Sequence, residues 1–124
     1  MSRHGERGSG TVLVVAAVAA VLLLGIAGLQ VGAAASAAHR ARAAADLSAL
    51  AAASALQEGG ADPCGRAAHL ARRNSARVVD CLLRPDDSVL VRVTTDLDLA
   101  WPGLPRTAVA SARAGPGDAG SSQP

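Results

Sequence analysis

The chain contains no lysine, no phenylalanine and no tyrosine; its twelve basic residues are all arginines, and Trp101 is its only aromatic. No basic run is interleaved with aromatics that would stack on bases, and a net charge of +2 is small, so nucleic acid is not an expected partner. Nucleophile-elbow, phosphate-loop and HExxH patterns are missing. The histidines are only His4, His39 and His69, too few and too scattered for the four ligands of a structural zinc site. The acidic pairs Asp86-Asp87 and Asp96-x-Asp98 read as a turn and as the wet side of a strand. The chain is therefore expected to be no enzyme and to hold no cofactor or metal.

Charge is missing altogether from Gly8 through Ala38, and Val12 to Leu29 uses only Val, Leu, Ile, Ala and Gly. About 20 such residues cross a bilayer core as a helix, and a helix in water needs a polar face that this one lacks. Arg3 and Arg7 precede the run, offset by Glu6; Arg40 and Arg42 lie well beyond it. The positive flank favours the N-terminus inside. Two fates of the segment stay open. Ala33-Ala34-Ala35 and Ala35-Ser36-Ala37 fit a small-x-small cleavage site, but the apolar run exceeds the usual signal-peptide core of about 7–15 residues. The helical pattern also runs on through those sites. Retention as an anchor is the expectation, with release by signal peptidase as the alternative. Gly28 and Gly32 form a small-xxx-small pair of the kind that lets helices approach closely.

From Ala33 to Gln57 the residues are strong helix formers, and no proline precedes Pro63. Gly59-Gly60 reads as the stop. One helix over Gly10 to Leu56 would be about 70 Å long. Leu47, Leu50 and Ser54, with Ala43 and Ala51, form a shallow stripe that predicts packing against a sheet or another helix. Asp46 interrupts the alanines beside that stripe, placed either to pair with Arg42 at i, i+4 or to meet another subunit.

Beyond the glycines, Pro63 and Cys64 open a short helix to about Ser75, with Ala67, Leu70, Ala71 and Asn74 on one face. Arg66, His69, Arg72, Arg73 and Arg77 crowd the other and read as a solvated face or an anion contact. Arg77–Leu83 reads as a strand, Pro85-Asp86-Asp87-Ser88 as a turn, and Val89 to Leu99 alternates at period two. Trp101 is expected to cap the small core. Arg106–Arg113 is a third possible strand, facing inward either through Thr107 and Val109 or through Ala108 and Ala110. From Gly115 the composition predicts a disordered tail. Cys64 and Cys81 lack CxxC spacing. They read as a structural disulfide between the short helix and the first strand, or else as two buried thiols. A bridge of this span would contribute about 3 kcal/mol and needs an oxidising compartment.

The run from Arg40 through Asp46, Leu47 and Leu50 to Ala53, together with the lead-in Arg7-Gly8-Ser9-Gly10-Thr11-Val12, resembles TadE/TadG-like proteins. These are pseudopilin-like components of Flp (tight-adherence) pilus assembly, and the likeness is greatest to the short actinobacterial members. It covers roughly Arg7 to Ala55. One departure stands out: with Ser9 taken as the first mature residue, the fifth is Leu13, whereas processed pilins carry Glu there. An unprocessed anchor is the corresponding expectation.

The resulting expectation is α+β: a long N-terminal transmembrane helix continuing into a small pilin-like head with a short helix and a two- or three-stranded antiparallel sheet. Its expected segments are a cytoplasmic stretch (1–9), a transmembrane helix (10–32), an alanine-rich extracytoplasmic helix (33–58), the head (63–113) and a tail (114–124). The resemblance implies a membrane-anchored structural component of a pilus or envelope assembly, packing through Gly28, Gly32, Asp46, Leu47 and Leu50. Its partners would be the membrane, other assembly subunits and other copies of itself. The alternative is a secreted, disulfide-bonded binding protein.

Overall fold

The computed structural model describes residues 8–97, 102–103 and 105–117. Helix α1 (Ser9–Gln57), helix α2 (Pro63–Arg73) and strands β1 (Ala76–Leu83), β2 (Val89–Asp96) and β3 (Thr107–Ala114) follow one another in that order. The chain forms two compact units, Met1–Ala33 and Ala34–Pro124, whose boundary falls inside α1.

In the first unit α1 buries nothing. Val12, Leu13, Val18, Leu24, Leu29 and Val31 all stand exposed. Among the described residues α1 is the one helix long and apolar enough to cross a membrane.

The second unit is a helix pair on one face of a meander. Helix α1 stops where the glycines predict. Gly59 takes a left-handed φ of +71°, its N–H donates to the Leu56 carbonyl (3.1 Å), and the Gly60 N–H donates to Ala55 (2.7 Å). Two otherwise orphaned carbonyls are satisfied this way. Helix α2 starts on Asp62, whose carboxylate accepts from the Gly65 N–H at 2.9 Å, with Pro63 at the first helical position, where a missing N–H costs nothing.

The sheet has order β1-β2-β3, antiparallel throughout. The β1–β2 hairpin closes through Asp87 N–H to the Arg84 carbonyl (3.1 Å) and Arg84 N–H to the Ser88 carbonyl (2.8 Å). Pro85 sits at a position that its ring favours, and Asp87 follows at φ +58°. Strand β2 alternates buried Val89, Val91, Val93 and Thr95 with more exposed neighbours. Strand β1 is irregular because its register shifts between Val78 and Asp80. Val79 is the extra residue of a β-bulge and points outward. Strand β3 turns Ala108, Ala110, Ala112 and Ala114 inward and Thr107 and Val109 outward, which resolves the two facings left open above.

The core joins Ala44, Ala45, Ala49 and Ala52 of α1 to Ala67 and Ala71 of α2 and to Ala76, Val89, Val91 and Val93 of the sheet. Only the valines are large. Helix α1 thus presents its smallest residues, and the expected stripe does not meet the sheet: Leu47 is 45% and Leu50 59% exposed, and Ala43 is exposed too. The space between α1 and the valine face is filled by methyl groups, and leucines there would overpack it. A disulfide joins Cys64 in the first turn of α2 to Cys81 in β1, with Cα atoms 6.0 Å apart. The alternation expected through Leu99 is seen as far as Asp96; Leu99 and Trp101 lie outside the described residues.

Candidate functional site

The residues singled out for helix packing fall on surfaces that the chain leaves uncovered. A β-carbon built on Gly28 or on Gly32 would meet nothing within 4 Å. Asp46, Leu47 and Leu50 share the outward side of α1, opposite the alanine face that meets the sheet. The local partnership expected between Asp46 and Arg42 is not formed: among the described residues the ion pairs are Arg77–Asp96 at 3.1 Å and Arg113–Asp86. On a helix whose other face meets the sheet, Asp46, Leu47 and Leu50 form an exposed strip with apolar and charged parts.

Two polar features escaped the sequence reading. The first is a clasp on the β1–β2 turn. The Arg113 Nε–H donates to Ser88 Oγ at 2.9 Å, and its guanidinium also holds the Asp86 carboxylate. The Ser88 hydroxyl and N–H both donate to Asp86 Oδ1, at 2.6 and 3.3 Å. The Ser88 hydroxyl, more than the Arg113 charge, holds the Asp86 carboxyl below its ordinary range. The second is a polar cleft of about 260 Å³ lined by Arg40, Asn74, Ser75, Thr95 and Asp96. Thr95 Oγ1 there donates to the Ala37 carbonyl at 3.4 Å, and Ser75 sits at φ +55°. No local sequence pattern marks it; the helix pair and the meander bring its residues together.

His39 and His69 are exposed, and no cluster of metal-ligating side chains occurs among the described residues. Asp96 belongs to its pair with Arg77, and Asp98 lies outside the described residues.

The chain thus joins an apolar helix of membrane-spanning length to a disulfide-bonded α+β unit. Residues 8–55 match the family described as "Putative Flp pilus-assembly TadE/G-like". That region covers the uncovered part of α1 and its outward stripe, and stops short of α2 and the sheet. No curated protein and no solved structure matches the chain.

Proposed function

We propose that the chain is a membrane-anchored, pseudopilin-like structural subunit of a Flp/Tad-type pilus or a related envelope assembly, without catalytic activity. The family match over residues 8–55 carries this reading. It covers the segment of α1 that is apolar on every side, together with Asp46, Leu47 and Leu50. In this reading residues 10–32 stay in the bilayer as an uncleaved anchor and the helix associates with like helices. Gly28 and Gly32 permit close approach within the membrane, and the Asp46–Leu47–Leu50 stripe meets a neighbouring subunit outside it. Orientation, with the N-terminus in the cytoplasm and the head outside, rests on the Cys64–Cys81 bridge, since such bridges persist in oxidising compartments. The flanking arginines weigh less, because the fold itself gathers arginines on the head side of the anchor.

A second reading draws on the boundary between the two compact units at Ala33/Ala34. It lies beside the small-x-small sites Ala33-Ala34-Ala35 and Ala35-Ser36-Ala37, so cleavage after Ala35 or Ala37 would release nearly all of the second unit as a secreted, disulfide-bonded binding protein.

Intact mass of the protein from membrane and culture fractions, with and without reduction, separates the two. A membrane-bound species that retains Val12–Leu29 and gains about two daltons on reduction, one hydrogen per sulfur, supports the anchored subunit. A soluble species beginning near Ser36 or Ala38 overturns it.

A further inference from the structure

The geometry points to the arginine-rich end of the second unit as a docking surface for the phosphate headgroups of anionic phospholipid, an inference that rests on the anchored reading. The up-and-down order of the elements creates this end. Helix α1 leaves it, α2 returns to it, β1 leaves, β2 returns and β3 leaves again. The part of α1 around Ala37–Arg40, the last turn of α2, the start of β1, the end of β2 and the start of β3 therefore lie together. The cleft joining Arg40 to Asn74, Ser75, Thr95 and Asp96 and the bond from the Leu97 N–H to the Arg106 carbonyl at 2.7 Å fix that arrangement.

Arg40, Arg72, Arg73, Arg77 and Arg106 all reach this end, and all are exposed. The acid described among them is Asp96, engaged by Arg77 at 3.1 Å. The opposite end carries Glu58, Asp62, Asp86 and Asp87, with Arg84 and Arg113. The unit is thus polarised, and cations crowded at one end repel one another until a counter-anion arrives.

Chain connectivity says which anion is near. The last exposed large apolar residue of the anchor is Val31, and the first buried residue of the second unit is Ala37. Even fully extended, that stretch spans only about 20 Å, so in the anchored reading chain length alone keeps the arginine-rich end within reach of the headgroups. Guanidinium forks suit phosphate oxygens, and several arginines near an anionic leaflet each contribute a salt-sensitive attraction.

The test uses the full chain in lipid nanodiscs of phosphatidylcholine alone or with about one third phosphatidylglycerol, read by amide hydrogen exchange at Asn74–Arg77 and Arg106–Thr107; roughly tenfold slower exchange in the anionic discs is expected. Added salt should reverse the slowing. The triple variant Arg40→Gln, Arg72→Gln, Arg73→Gln should abolish it, while Arg66→Gln with Arg84→Gln should retain it. Equal exchange in both disc types, with the protein incorporated, overturns the docking surface and leaves the anchor standing. Equal slowing by soluble polyphosphate over neutral discs also overturns it, in favour of a soluble anionic polymer. Failure to incorporate at all overturns the anchored reading and this inference with it.

Discussion

Arg113, near the end of β3, closes on Asp86 in the turn between β1 and β2, so the last strand of the sheet is fastened to a loop that belongs to the other two. Because the Ser88 hydroxyl and then Arg113 lower the Asp86 carboxyl, the folded state holds this proton less tightly than the unfolded chain. The stabilisation is complete above the ordinary aspartate value of about 3.9 and is lost as pH falls through the lower folded value. Asp86→Asn should therefore flatten the acid side of a melting-temperature profile taken below about pH 4, with little change in its slope near neutrality. An unchanged acid limb would show that the clasp does not persist in solution.

Ser48 is fully buried, and among the described residues its hydroxyl has no hydrogen-bond partner. A buried, unsatisfied hydroxyl is a cost that a methyl does not carry, so Ser48→Ala should stabilise the second unit by about 1 kcal/mol in urea unfolding. Ser48→Leu should destabilise it by roughly 1–3 kcal/mol, because the space between α1 and the valine face is filled.

The bridge between Cys64 and Cys81 has a sequence separation of 17. Reduction, or replacement of both cysteines by alanine, should lower unfolding stability by about 3 kcal/mol. With a core made largely of alanine, that loss is expected to appear first as faster exchange in α2, whose other buried residues are Pro63, Ala67 and Ala71.

Gly59 holds the left-handed φ that ends α1, so Gly59→Ala should cost about 1–2 kcal/mol. At Gly60 the obstacle is steric: a β-carbon would lie 2.8 Å from the Ala55 carbonyl oxygen. Gly60→Ala should then remove the terminal hydrogen bond as well. Circular dichroism melts of the two variants would compare the effects.

Leu47→Ala and Leu50→Ala should change unfolding stability by no more than about 0.5 kcal/mol each, as exposed positions do, while weakening subunit association measured by cysteine crosslinking in membranes. A large stability loss with intact association would move these leucines from an intersubunit role to a structural one.

Much of this fold is written in contrasts between neighbouring side chains, and it was legible where such contrast exists. The alternation of Val89 to Thr95 with Leu90, Arg92 and Thr94 marked β2, Gly59-Gly60 marked the end of α1, and Pro85-Asp86-Asp87-Ser88 marked the hairpin. Contrast fails along α1, where alanine surrounds the helix and the leucine stripe fits a sheet or a neighbouring helix equally well. The space against Val89, Val91 and Val93 is filled by small side chains instead, and Ala44, Ala45, Ser48, Ala49 and Ala52 go inside. The same preference turns the alanines of β3 inward and leaves Val109 62% exposed. The bulge was hidden because Val78 and Val79 are identical. The arginine-rich end depends on topology, which joins residues as distant as Arg40 and Arg106, and no local pattern announces that.

The disulfide also sets how the chain behaves under tension. If the anchor is held and the C-terminal end is pulled, the residues between Cys64 and Cys81 drop out of the extensible length, which shortens it by roughly 50 Å. The loop so excluded contains most of α2 and the bulged half of β1 but nothing of α1. The bridge therefore limits how far a loaded molecule can lengthen, while resistance to peeling α1 from the sheet falls mainly on a seam of methyl groups and the one hydrogen bond from Thr95 to Ala37.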